Sequence, residues 1–337
     1  MRRGLLLGIV IIALTIGAAF ATRPVEIAGA RTAGIGAVLT APYRALTGVF
    51  SPGNDNEDGR VTLLILGKAG AGWTAGELTD TIIVASLDGE EQEAALLSLP
   101  RDLLVSVDGY RGKINALWQV GKQDAQRRGE TDVAAMSELV RKGIEGITGV
   151  TLDEVVVVDV SAVETIVDRL GGVAVNVEQP ITDPRYPTPG GGTERFEIGT
   201  GFHVMDGSTA VKYARTRHTP EGDFGRIRRQ HQIVEAVVSK AKGLSLLSDL
   251  PTITGLFTDI AAHTETTIST GELPALTTLA RDIPFSSLET YALETLQARR
   301  DTQPLLTSAG FASGLVPRAG FYNYDEVHAV VKELLND

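Results

Sequence analysis

Short apolar runs bounded by turn residues mark the strands of this chain. Val61–Leu66 reads as a buried strand, and Thr81–Leu87 and Ala94–Leu99 as two more. The polar stretch Asp88-Gly-Glu-Glu-Gln-Glu93 between the last two predicts a hairpin. Helical spacing of apolar positions then predicts helices over Asn115–Arg127 and Asp132–Ile147. Glu154–Val160 is a further buried strand, and Ser161–Leu170 is a helix stopped by Gly171-Gly172. A short strand at Val173–Val177 leads into Gln179–Thr193, whose prolines and glycines predict a loop. Helices follow near Asp206–Tyr213 and from Asp223 to about Lys242, and smaller elements end in a helix near Tyr324–Leu335. This is the pattern of a mixed α/β domain with helices flanking a central sheet.

One apolar run is of another kind. Arg2-Arg3 is followed by Gly4 to Ala21 with no charge until Arg23. That is about the 18–20 residues needed to cross a bilayer. The two arginines before it predict a cytoplasmic N-terminus and an exported body. Residues 1–22 therefore read as a single-pass transmembrane anchor; Ala19-Phe-Ala21 also fits the cleavage site of a signal peptide. Residues 23–59 read as stem and linker, closed by the turn-rich Ser51-Pro-Gly-Asn-Asp-Asn-Glu-Asp-Gly59, and 60–337 as one domain.

The 337 residues carry a net charge of −11, which argues against general binding of nucleic acid. With no cysteine there is neither a disulfide nor a thiolate metal site. Against this acidic background, five arginines fall between Arg215 and Arg229. Arginine presents a planar fork of donors matched to phosphate oxygens and keeps its charge at any working pH, so the cluster predicts an anion site. Arg215 and Arg217 are two apart, and an extended strand would turn both to one side. Asp223, Arg226 and Gln230 share one face of the helix predicted there, while Arg228 falls on the other side as a solvated charge.

Three further sets lie where predicted strands begin or end. Asp80 opens the second strand, and is either chemical or a turn or cap aspartate. Arg101-Asp102 follows the third strand, and is either part of a site or a surface ion pair. Lys113 and Asn115 lie in a loop entering a helix, where Asn115 also suits an N-cap. Trp73 and Trp118 either line the mouth of a lipid site or, the better reading, pack, and the five histidines show no metal-ligand spacing. The glycine-rich segment 67–76 lacks the pattern of a nucleotide-binding loop.

Five motifs occur in order: Asp80-Thr-Ile-Ile-Val-Ala-Ser, Leu97-Ser-Leu-Pro-Arg-Asp102, Lys113-Ile-Asn-Ala116, Leu170-Gly-Gly-Val173, and Tyr213-Ala-Arg-Thr-Arg217 with Gly222-Asp223 through Arg229-Gln230. Together they resemble the LytR–CpsA–Psr family of membrane-anchored cell-wall enzymes over residues 60–240, with the C-terminal part completing the domain. The resemblance implies a three-layer α/β/α domain with a central mixed sheet, holding a polyprenyl-pyrophosphate lipid. It also implies a phosphotransferase that moves a glycopolymer from that lipid to peptidoglycan or another envelope acceptor outside the cytoplasm. Non-catalytic binding of the glycolipid, or its hydrolysis as a pyrophosphatase, are the rival activities. Arg101, Arg215 and Arg217 are suited to clamp pyrophosphate. Asp80 is suited to hold Mg²⁺ or steer the acceptor hydroxyl. Asp223 suits a base or a group that orients Arg226, and equally the N-cap of its helix. Lys113, Asn115, Arg226, Arg229 and Gln230 are the expected substrate-binding residues.

The chain departs from the family pattern at two places. Where many relatives carry a second magnesium-holding aspartate it has Lys68, and where they carry an arginine it has Leu78. Lys68 is expected either to supply part of the metal's charge or to mark a remodelled loop. Glu77 and Asp88 are nearby acids that the spacing does not single out.

Overall fold

The computed structural model describes residues 60–336, with 71–72, 74–75, 160, 217–227, 230, 231, 234, 238, 242, 245–248, 270, 271, 273–275, 277, 278, 280–282, 284–286, 298–302 and 311–313 outside the description. The expected anchor and stem, half of the helix expected from Asp223, and the site residues Arg217, Asp223, Arg226 and Gln230 lie outside the described residues. No helix among the described residues is long and apolar enough to cross a membrane.

The first strand, β1 (Arg60–Lys68), is buried at every position after Arg60. It lies inside a six-stranded sheet with β2 (Thr79–Asp88), β3 (Glu93–Ser98), β6 (Glu154–Asp159), β11 (Thr264–Thr266) and β12 (Leu288–Ala292). Their order is β11-β6-β1-β2-β3-β12. Interior strands with both faces covered need apolar side chains on both, which is why runs encode them rather than alternation. β2 and β3 form the expected antiparallel hairpin, from Ile83 opposite Ser98 to Asp88 opposite Glu93. β12 joins the other edge of β3 in parallel, so the sheet is mixed, as expected.

The chain divides into two compact units. One comprises, among the described residues, Arg60–Leu66, Thr81–Val156 and the chain from Thr266 onward, and holds most of the sheet. Here α1 (Leu117–Arg127) packs against α2 (Val133–Thr148). A Cβ on Gly121 would come within 2.6 Å of the Met136 carbonyl, so glycine permits this close approach. Asp132 caps α2 by accepting the Ala135 N–H at 2.8 Å, and Gly149 ends it at φ +71°. Trp118 is fully buried, as expected of a packing residue. The C-terminal helix α6 (Asp325–Asn336) lies against α2 and β3, and the Leu335 carbonyl accepts from Arg60 and Ser86.

The segment around Lys113 is not a loop. β4 (Leu104–Val107) and β5 (Tyr110–Lys113) form a hairpin whose turn residues Asp108 and Gly109 have φ of +46° and +82°. Asp-Gly suits such a two-residue turn, so the signal was present in the sequence. A single 3-10 turn, Ile114–Ala116, then leads into α1. Asn115 lies inside that turn and is 9% exposed, so it is not the N-cap.

The other unit comprises Gly67–Asp80 and Val157–Glu265. Its helix α3 (Ser161–Arg169) packs against α4 (Gly207–Arg215) and α5 (Leu250–Ala262). β7 (Val173–Val177) pairs with β10 (Gly201–Met205). The expected loop 179–193 is largely strand: β8 (Ile181–Pro187) pairs antiparallel with β9 (Thr193–Ile198). Its prolines suggested a breaker, but the register shifts between Asp183 and Tyr186, and Pro184 lies in that irregularity, where a missing N–H is tolerated.

Candidate functional site

The site residues expected from sequence fall in both units. In the unit of Gly67–Asp80 and Val157–Glu265, β1 ends on Lys68, whose side chain is 8% exposed. Its ammonium lies 2.6 Å from Glu265 Oε1 and 3.2 Å from Glu77 Oε1. Burial works against the charged form, but the two carboxylates outweigh it and hold the pKa above the ordinary lysine value. Glu77 is thereby given a role that spacing did not reveal, and Glu265 comes from the far end of the unit with no local signal. Asp88, the other unassigned acid, pairs with Arg60 at 2.8 Å in the second unit.

After Lys68 the chain closes a tight loop, in which the Gly70 N–H donates to the Gly76 carbonyl at 3.0 Å and the Gly76 N–H to that of Trp73 at 3.0 Å. Gly70, at φ +87°, lies against the Asp159 carboxylate, which a Cβ would overlap at 2.0 Å. This fold of the glycine-rich segment presents Trp73. Its ring meets the guanidinium of Arg215, which stands 4.0 Å from the ring centroid. Of the two roles expected for Trp73, packing was the better reading; the ring instead lies against an expected site arginine. Arg215 is the last residue of α4 and not part of a strand, so the extended geometry inferred for it from spacing does not hold. Thr216 turns the chain out of the helix at φ −58° and ψ 141°.

Asp80 is the second residue of β2, half-buried between the buried Thr79 and Thr81, which removes the turn and helix-cap readings. Arg229 is 3% exposed; its Nε donates to the Tyr213 carbonyl at 3.0 Å and its Nη2 to that of Thr216 at 2.7 Å. Arg228 reaches Glu178 at 3.2 Å and is exposed, matching the solvated charge expected.

In the second unit, Arg101, Asp102 and Lys113 form one cluster. Lys113 Nζ lies 2.6 Å and Arg101 Nε 3.5 Å from the two oxygens of Asp102. The β4–β5 hairpin delivers Lys113, and the Ile114 N–H bonded to the Leu103 carbonyl at 2.9 Å fixes its exit. Burial raises the Asp102 pKa, but Lys113 and then Arg101 overcome this and leave it below the ordinary carboxylate value. Two cations thus share the Asp102 carboxylate in a partly solvated cluster.

Among the described residues no three acids or histidines group to hold a metal. The Glu77 and Glu265 carboxylates already neutralise the Lys68 ammonium. Magnesium fits this set only in the form in which one carboxylate, here that of Asp80, is completed by substrate phosphates and water.

A family model described as the LytR_cpsA_psr family matches residues 41–305. The regulatory protein MsrR of Staphylococcus aureus (strain COL) is 29% identical over 204 residues, covering 59% of this chain and 54% of that protein. The polyisoprenyl-teichoic acid–peptidoglycan teichoic acid transferase TagU of Enterococcus faecalis is 27% identical over 197 residues, 58% of each chain. The chain thus spans about half the length of the curated relatives it matches. The crystal structure of B. subtilis TagU superposes with a TM-score of 0.51 at 20% identity, over 82% of this chain and 96% of that one; this is a likeness of fold.

Proposed function

The chain belongs to the LytR–CpsA–Psr family, and from that premise we propose that it is a cell-envelope glycopolymer transferase. The proposed reaction moves a glycosyl-phosphate from a polyprenyl-pyrophosphate carrier to an acceptor hydroxyl on peptidoglycan or another envelope polymer. The acceptor oxygen bonds to the glycan-bearing phosphorus, its proton leaves to a base, and polyprenyl phosphate departs. The N-terminal apolar run would hold the protein in the membrane with this chemistry outside the cytoplasm.

The observation that carries the reading is Arg215, stacked on Trp73 at 4.0 Å and heading the Arg215-Thr-Arg217 pair of a strongly acidic chain. Phosphoryl transfer asks a protein for positioning and charge stabilisation more than for covalent chemistry. A guanidinium held over an indole loses little further freedom on gripping phosphate. Arg215 and Arg217 bind the pyrophosphate, and Arg101 with Lys113 offers a cationic pair of the other unit to phosphate oxygens. Asp80 orients the acceptor hydroxyl. Magnesium carried with the substrate would spread the charge on the phosphates, with Asp80 as its protein carboxylate. Asp223 serves as base or orienting group, and Asn115, Arg226 and Gln230 complete substrate binding.

The test is turnover of a polyprenyl-pyrophosphate glycolipid by the full chain in detergent, with a peptidoglycan acceptor, with and without Mg²⁺. Polyprenyl phosphate released together with labelled acceptor is the expected result, abolished by Arg215→Ala with Arg217→Ala. Release without labelled acceptor would make the protein a pyrophosphatase, and tight binding without turnover would make it a glycolipid carrier.

A further inference from the structure

Two charged side chains in the unit that holds Arg215 are almost fully buried. Asp183 is 1% exposed and Arg229 3%, and charged groups are rarely this buried unless they are bonded to something the fold needs. Both converge on Thr216, itself 1% exposed. Thr216 Oγ1 donates to Asp183 Oδ2 at 2.5 Å. The Thr216 carbonyl accepts from Arg229 Nη2 at 2.7 Å, and its N–H donates to the Lys212 carbonyl at 3.0 Å. Donor, acceptor and hydroxyl of this residue are therefore all engaged. It is the one residue joining Arg215 to Arg217.

The geometry around it is directional. Arg229 bonds the carbonyls of Tyr213 and Thr216, which bracket Arg215 at the C-terminal end of α4. A cation there satisfies carbonyls that the helix leaves without partners and complements its dipole. Asp183 approaches from the β8–β9 hairpin. The irregularity after Asp183 bends that strand, and the Arg185 N–H donates back to Asp183 Oδ1 at 3.1 Å, fixing the carboxylate. On the side-chain side, Trp73 receives the Arg215 guanidinium. Backbone and side chain of Arg215 are thus constrained from separate parts of the unit.

We infer that Asp183, Thr216 and Arg229 form a buried latch that sets the direction in which Arg215 is presented to phosphate. In this assignment Arg229 is a positioning residue and not a phosphate ligand, and Asp183 acts through Thr216. The inference rests on the transferase reading only for the identity of the ligand. The latch itself is a claim about Arg215.

Two readouts separate the claims. The first uses no ligand: Trp73 emission, isolated by subtracting the spectrum of Trp73→Phe, reports the Arg215 stack. Thr216→Val removes the hydroxyl at nearly constant shape and is expected to shift that emission towards the Arg215→Ala spectrum. Thr216→Ser keeps the hydroxyl and is expected to retain the original emission. The second readout is binding of polyprenyl pyrophosphate in detergent by calorimetry. Thr216→Val is expected to weaken binding about tenfold, in line with the sensitivity of reacting geometry to displacements near 1 Å. In an Arg215→Ala background it is expected to have no further effect. Unchanged Trp73 emission, or an equal loss of affinity in both backgrounds, overturns the latch. If Thr216→Val does not fold, Asp183→Asn goes through the same cycle with the same two outcomes deciding. Should Arg215→Ala leave polyprenyl-pyrophosphate binding intact, the transferase reading fails, and the emission result alone still decides the latch.

Discussion

Individual side chains here matter most where charges are pooled. Lys68 joins two carboxylates that are each about one-third exposed, so water offsets part of what its removal costs. Lys68→Met is expected to cost about 1–3 kcal/mol, below the full penalty for breaking a buried pair. Urea unfolding at neutral pH measures this, and identical midpoints would mean that water serves Glu77 and Glu265 as well as the ammonium does. The folded pKa of Lys68 is raised, so its contribution is complete below the ordinary lysine value of 10.5 and disappears as pH rises through the folded value. Asp102 runs the other way. Its folded pKa is depressed, so its contribution is present above the ordinary 3.8 and lost as pH falls through the folded value. NMR titration is expected to place the Asp102 midpoint below 3.8 and to move it upward in Lys113→Met. At this scale the sequence singled out the cations but not their partners. Arginines stand out by composition, whereas Glu265, Asp183 and the Trp73 face acquire meaning only from residues remote in the chain.

Among the elements, glycine decides how closely helices approach. A Cβ on Gly207 would lie 2.1 Å from the Glu164 carbonyl, so α4 meets α3 backbone to backbone there. Gly207→Ala is expected to destabilise by about 1–3 kcal/mol through overpacking. Gly146, inside α2, would meet nothing within 4 Å. The same substitution there is expected to stabilise by about 0.5–1 kcal/mol, because alanine loses less conformational freedom in a helix. Thermal unfolding of the two variants should shift in opposite directions, and shifts of the same sign would refute the packing argument. Helices and interior strands were legible as periods and runs. The β8–β9 hairpin was not, since Pro184 and Pro187 carry a loop signal that the pairing irregularity overrides locally. Nor was the helical end at Arg215, because two-residue spacing on its own cannot tell a strand from a helix terminus.

For the whole molecule, the C-terminal residues complete the fold of their unit. β12 extends the sheet beside β3, and α6 buries Val327, Val331 and Leu335 while its last turn accepts from Arg60 and Ser86. Ending the chain at Asn323 is expected to abolish cooperative unfolding of that unit. Hydrogen exchange of β3 amides should rise towards the rate of unfolded chain, and retained protection would show α6 to be dispensable. Taken alone, the sequence determined the mixed α/β class, the interior strands, most helices, the family motifs and the arginine concentration. These are properties of residue type and local period, and they survive without knowledge of what packs against what. Tertiary structure decided the sheet order, the parallel entry of β12, the pairing of Lys68 with Glu77 and Glu265, the stack of Arg215 on Trp73, and the convergence of Asp183 and Arg229 on Thr216. Nearly all of these join segments distant along the chain. Their energy comes from burial and bonding that exist only once the segments have met.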